Sequence, residues 1–245
     1  MAYYQSPRWS AEIADCSMPM TFDTYSNCSF GCMYCFSQYQ RGIGGAKEHY
    51  LAKEVNPVNV EKIKKMFTDP DQYAGQFATY IKQRRVMQWG GLSDQFDGFE
   101  RKYGKTLELL RFFKEINYPL CFSTKATWFT QDERYMELIR GQQNWNFKFS
   151  IITLDEHKAH IIERGVPTPL ARLDAIERIA NAGAGGGYIA SATIHHRGQH
   201  TVISRPHSHG SGTRRNGSFN RVLLCGTTLA NAQRVYAKTL GTLWL

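Results

Sequence analysis

The chain has 245 residues, 42% apolar and 21% charged, and carries a formal net charge of +9. This balance excludes full disorder, a collagen-like repeat and a coiled-coil rod, and the length suits one sizeable α/β domain. No run approaches the roughly 18 to 20 uninterrupted apolar residues of a membrane span, and the N-terminal residues lack the apolar centre of a signal peptide. A cytoplasmic protein with no membrane partner is therefore expected.

The elements follow in chain order. Met18 to Tyr25 is β-prone and forms a first strand, followed by a cysteine-rich loop. Residues 36–56 are polar and glycine-containing, and a helix is expected over Val58 to Phe67. Arg85 to Trp89 reads as a short strand that stops at Gly90-Gly91. Leu107, Leu110, Phe113 and Ile116 recur at a spacing of three, which predicts an amphipathic helix over Gly104 to Asn117. Leu120 to Lys125 is another strand and Gln131 to Arg140 a helix whose Asp132 and Glu133 suit its positive N-terminal end. Asn146 to Leu154 reads as a strand. Thr168-Pro169 supplies an N-cap and a first-turn proline for a helix that buries Leu170, Leu173, Ile176 and Ile179 and stops at Gly183.

Strand then helix, four times over, argues for a parallel sheet with helices outside. Functional residues should gather at the carboxyl ends of the strands: the cysteine loop, Gly90 to Asp94, Ser123 to Lys125 and Thr153 to Asp155. Trp89, Phe96 and Phe99 near those ends would suit a planar substrate, although aromatic residues more commonly build cores.

Cysteines stand at positions 16, 28, 32, 35, 121 and 225, three of them within eight residues as Cys28-Ser-Phe-Gly-Cys32-Met-Tyr-Cys35. Three clustered thiols cannot all pair locally, and cytosolic thiols stay reduced, so a metal is the better reading than a disulfide framework. Zinc normally takes four ligands from two knuckles, and no second CxxC or HxxxH follows at a suitable spacing; the tail histidines could supply a fourth ligand only at irregular spacing. An iron-sulfur cluster accepts three thiolates and leaves one iron open for an exogenous ligand. Zinc or a purely structural cluster stays as the alternative. Cys16 and Cys121 read as small buried apolar residues.

The CxxxCxxC spacing, with Tyr34 just before the third cysteine, resembles the cluster motif of the radical S-adenosylmethionine (radical SAM) superfamily. Further segments resemble, in matching order, the group related to spore photoproduct lyase. They are Gly91-Leu-Ser-Asp94 with Phe96 and Glu100, Ser123-Thr-Lys125, Ser150 to Asp155, and Glu163 to Pro167 leading to Arg172-Leu173. The likeness covers about residues 18–183. It implies a partial (β/α)6 barrel, a 4Fe-4S cluster on Cys28, Cys32 and Cys35, and S-adenosyl-L-methionine on the open iron. It also implies a 5′-deoxyadenosyl radical that abstracts hydrogen from an unknown substrate, with nucleic acid as one candidate. An external electron donor such as flavodoxin or ferredoxin would feed the cluster.

By the same resemblance Gly90 and Gly91 fall where backbone approaches the SAM amino group, and the family's acidic residue is displaced to Asp94. Tyr34, Lys125 and Ser150 are further candidate cofactor contacts, and Thr153 a weaker one. Each has a plainer alternative: Tyr34 as packing under the loop, Asp94 as a turn cap, Lys125 as a solvated charge, Ser150 and Thr153 as strand residues. Arg172 is expected to pair with Asp155 or Glu163 rather than touch SAM. Spore photoproduct lyase uses a cysteine as hydrogen donor that falls on no equivalent position here, which argues against photoproduct repair and leaves the catalytic residue unassigned, with Cys121 the minor candidate donor that the resemblance implies.

A core domain over residues 1–184 gives way to an atypical segment, 185–245, which holds seven Lys or Arg, no Asp or Glu and five of the eight histidines. The first 184 residues are near neutral, with 23 basic against 21 acidic residues. The C-terminal barrel units are thus atypical or disrupted. A basic extension could bind nucleic-acid phosphates, but the missing acids favour a shifted reading frame over that role. The rival classes are a nucleic-acid-binding protein with a structural cluster and an inactive family member.

Overall fold

The computed structural model describes residues 6–9, 18–35, 37–38, 54–184, 192–196 and 199–203. Five strands form one mixed sheet in the order β1 (Arg8–Trp9), β2 (Met20–Phe22), β3 (Met87–Trp89), β4 (Leu120–Thr124) and β5 (Trp145–Phe149). β1 runs antiparallel to β2, and every other neighbouring pair is parallel, in register through Phe22, Trp89, Phe122 and Phe147.

Between the strands run α1 (Val60–Thr68), α2 (Pro70–Tyr73), α3 (Ala78–Lys82), α4 (Gly98–Tyr103), α5 (Lys105–Glu115), α6 (Glu133–Ile139), α7 (Glu156–Ile162) and α8 (Pro169–Asn181). Local chemistry fixes their starts. The Asn59, Asp97, Asp132, Asp155 and Thr168 side chains each accept a bond from a first-turn amide, satisfying donors that a helix N-terminus otherwise leaves open.

Because strand side chains alternate, register decides what each face of the sheet does. Met20, Phe22, Met87, Trp89, Leu120, Phe122, Trp145, Phe147 and Phe149 share one face. They join Ile63, Phe67, Leu110, Phe113, Ile139 and Ile179 of the helices in a single core. Trp89 stacks on Phe122 at 5.5 Å, and Phe122 on Phe147 at 4.4 Å. Trp89 and Phe96 are fully buried in this core, so the packing reading of these aromatics holds. The opposite face carries Arg8, Thr21, Gln88, Cys121, Ser123, Asn146 and Lys148, a polar row in which Cys121 is buried.

Two expectations are corrected. β5 ends at Phe149 and not at Leu154, because the chain turns to present Asp155 as the cap of α7, a helix the periodicity did not reveal. α8 buries Pro169, Arg172, Ala175 and Ile179, while Leu170 is 42% exposed, because a buried ion pair on Arg172 sets the rotation of the helix. Past Gly183, where the C-terminal barrel units read as atypical or disrupted, no further strand joins the sheet among the described residues. Instead β6 (Ala192–His196) and β7 (Gln199–Ile203) form a separate antiparallel hairpin. The remaining readings of the basic segment fall on residues 185–191, 197–198 and 204–245, outside those described. Cys16 and Cys225 lie outside them too. No helix among the described residues is long and apolar enough to cross a membrane.

Candidate functional site

The ends of β2, β3 and β4 are tied together by their own first loop residues. The amide of Gly90 donates to the Phe22 carbonyl at 2.9 Å, and the Trp89 indole donates to Thr24 Oγ1 at 2.9 Å. Asp23, fully buried and paired with Arg8, accepts from the amides of Leu92 and Ser93, each at 2.9 Å. Gly90 adopts φ +94°, and a methyl there would overlap Gln95 Oε1 and fall 2.5 Å from the Ser123 carbonyl oxygen. Only glycine supplies both the left-handed backbone and the space.

The cysteine loop is held from two sides. On one, the Ser29 amide donates to Asp97 at 2.6 Å and the Gly98 amide donates to Ser29 Oγ at 3.0 Å, locking Cys28 beside the start of α4. On the other, the Met33 amide donates to the Ile162 carbonyl at 2.9 Å, and the Gly165 amide to the Phe30 carbonyl at 3.1 Å. A methyl on Gly165 would lie 2.7 Å from that same Phe30 oxygen. The Tyr34 hydroxyl donates to Glu163, whose other oxygen accepts from Arg172 at 2.7 Å, and Arg172 also donates to the Ser150 carbonyl at 2.6 Å. Arg172 is thus the ion-pair partner of Glu163, as one of its two expected assignments held. Asp155 instead caps α7 and pairs with Lys158.

Cys28, Cys32 and Cys35 line one cavity of about 260 Å3, together with all six expected contact residues: Tyr34, Gly90, Gly91, Asp94, Lys125 and Ser150. The ammonium of Lys125 lies 5.7 Å from the Tyr34 ring centroid. Asp94 is buried, and its oxygens accept from Thr124 Oγ1 at 2.9 and 3.0 Å, the Lys125 amide at 2.6 Å and the Phe96 amide at 2.9 Å. Those bonds make Asp94 the tie between the β3 and β4 ends, which is the turn-capping alternative in enlarged form. Thr153 is absent from the cavity wall and accepts from the Asp155 amide. Among the described residues no three Cys, His, Asp or Glu side chains are already grouped tightly enough to hold a metal ion, so the thiols share a cavity without converging on one point.

Burial dominates the electrostatics. It pushes the Cys28 thiol well above its ordinary range, with Asp97 and Asp94 adding to the effect. It pushes Cys32 up to about 11, partly offset by Lys125. Burial, opposed by the Ser29 amide and reinforced by Asp94, also pushes Asp97 up to about 7. Both thiols are therefore protonated at neutral pH in the metal-free protein, and a thiophilic metal must displace their protons. Cobalt(II) affinity, read by its thiolate charge-transfer absorbance, is expected to climb between pH 6 and 9 by as much as about ten-fold per pH unit for each thiol displaced. A flat profile would show that these thiols do not take the metal.

Sequence reasoning missed the Asp97 lock, the role of Gly165 and the Gln88, Ser123 and Lys148 chain described below. Asp97-Gly98 before a helical stretch was a readable N-cap signal, whereas a close approach between Gly165 and Phe30, 135 positions apart, leaves no local trace. Compared with known proteins, the chain matches no family model and no curated sequence.

Proposed function

We propose that the chain is a radical SAM enzyme similar to the spore photoproduct lyase group, built on a partial (β/α)6 barrel. One observation carries this reading: three cysteines at CxxxCxxC spacing and the six contact residues that the resemblance implies, drawn from four strand ends, line a single cavity. The donor set fits a 4Fe-4S cluster, since the wall presents three thiols among the described residues and a cluster held by three thiolates keeps one iron open. Zinc, which favours a closed set of four, fits it less well.

In this reading Cys28, Cys32 and Cys35 hold the cluster. The chemistry it supplies with bound SAM is reductive carbon-sulfur cleavage to a 5′-deoxyadenosyl radical that takes hydrogen from substrate. The protein's own part is positioning. The Gly90-Gly91 turn lets backbone come close to the SAM amino group, and Asp94 holds that turn against β4. Tyr34 and Lys125 form the wall beside the cysteine loop, and Arg172 fixes the Ser150 carbonyl and, through Glu163, the Tyr34 hydroxyl.

The test is anaerobic iron-sulfur reconstitution, reduction with dithionite in the presence of SAM, and chromatography for 5′-deoxyadenosine. Wild type is expected to bind about four irons per chain and release deoxyadenosine, and Cys32→Ala to do neither. A bound cluster without SAM cleavage sinks the enzymatic reading, and failure to bind iron sinks the reading entirely.

A further inference from the structure

The polar face of the sheet contains a chain of side chains that the cofactor reading does not use. Lys148 on β5 donates from Nζ to Gln88 Oε1 on β3 at 2.7 Å, and Gln88 Nε2 donates to Ser123 Oγ on β4 at 2.5 Å. The order of donation is forced. A lysine ammonium has no acceptor, so the glutamine must turn its oxygen to Lys148 and its NH2 to Ser123. Ser123 Oγ, having accepted, keeps its own hydrogen to donate. What remains unused is two ammonium hydrogens, one amide hydrogen and one hydroxyl hydrogen, four donors against one spare lone pair each on Gln88 Oε1 and Ser123 Oγ. Gln88 and Ser123 themselves line the cavity wall.

Among the described residues no neighbouring acid meets that set. No carboxylate among them lies within ion-pair distance of Lys148. Asp23 is paired with Arg8, Glu163 with Arg172 and Tyr34, and Asp94 is held by Thr124, Lys125 and Phe96. A half-buried cation with oriented neutral donors beside it is strongest when an oxyanion completes it, because charge-assisted bonds in a partly desolvated site outweigh those made to water.

We propose that Gln88 and Ser123 in the cavity wall, together with Lys148 bonded to Gln88 on the same sheet face, form an anion subsite that holds a carboxylate or phosphate group of the substrate. Calling the anion part of a substrate rests on the radical reading above; the binding itself does not. Gln88 is the positioning residue, since it aims both Lys148 and Ser123, and Lys148 supplies the charge.

The experiment titrates the metal-free protein with inorganic phosphate, followed by phosphorus NMR, and with acetate, followed by saturation-transfer NMR. Wild type is expected to bind at least one of the two, and Lys148→Met to lose about ten-fold or more of that affinity. Ser123→Ala is expected to lose a few-fold. Lys148→Gln, closer in polarity, repeats the Met result if Lys148→Met fails to fold. The Cys28→Ser/Cys32→Ser/Cys35→Ser protein is expected to bind as wild type does, which separates this site from the cluster. Phosphate alone points to a phosphate ester, and acetate alone to a carboxylic acid. No binding of either anion, or undiminished binding in the folded Lys148 variants, overturns the subsite whatever the deoxyadenosine assay returns.

Discussion

Arg172→Ala is expected to lower the unfolding free energy by about 3–5 kcal/mol, the scale of breaking a buried ion pair from one side. Arg172 and Glu163 are each about 1% exposed, so removing the guanidinium leaves a carboxylate in the interior with only the Tyr34 hydroxyl to meet it. The Ser150 carbonyl loses its donor as well. Urea denaturation of the metal-free protein measures the loss, and adding Glu163→Gln should recover part of it, because a neutral amide costs less to bury than an unpaired charge. A loss below about 1 kcal/mol would mean that the pair is not the buried clamp described here. The same variant should incorporate iron poorly even where it folds, since α8 then no longer fixes the wall that carries Tyr34.

Glu100→Leu is expected to cost a comparable amount, about 3–5 kcal/mol, for a different reason. Its carboxylate, 1% exposed, accepts from the Tyr25 hydroxyl, from Tyr135 at 2.6 Å and from the amides of Thr106 and Leu107 at 2.8 and 2.9 Å. Burial, and next the charge of Glu100, hold both phenols protonated far above their ordinary range, so they remain donors throughout the working pH scale. Leucine removes the acceptor from four buried donors at once, two of them in the first turn of α5. Glu100→Gln, which keeps one acceptor oxygen, should cost roughly half as much. Equal effects of Leu and Gln in thermal denaturation would show that the charge, not the hydrogen-bond count, is what this hub needs.

Glu100 stood out in the sequence only as part of a resemblance; the structure makes it the anchor of α5. The same contrast runs through the chain. The α5 periodicity of Leu107, Leu110 and Phe113 was plain because every one of these residues answers to the same buried face. The α8 pattern misled because Arg172, a charged residue, takes a core position that periodicity assigns to Leu170 or Leu173. A rule that equates buried with apolar cannot see a charge neutralised by a partner nine residues away. The Asn146 to Leu154 run misled for a related reason: Ile151 is buried outside the strand, while Ile152 and Leu154 are only partly buried.

The sequence by itself determined β2 to β4, the start of β5, α1, α5, α6 and α8, the strand-end positions of the cysteine loop, Gly90 to Asp94 and Ser123 to Lys125, and the donor chemistry, because spacing and residue type act locally. Only the tertiary structure decided which side chains meet: the Asp97 lock on Ser29, the approach of Gly165 to Phe30, and the Lys148, Gln88 and Ser123 chain across three strands. Each joins residues brought together by parallel register or helix packing. Such contacts are fixed by the burial of the whole core, and no single segment encodes them.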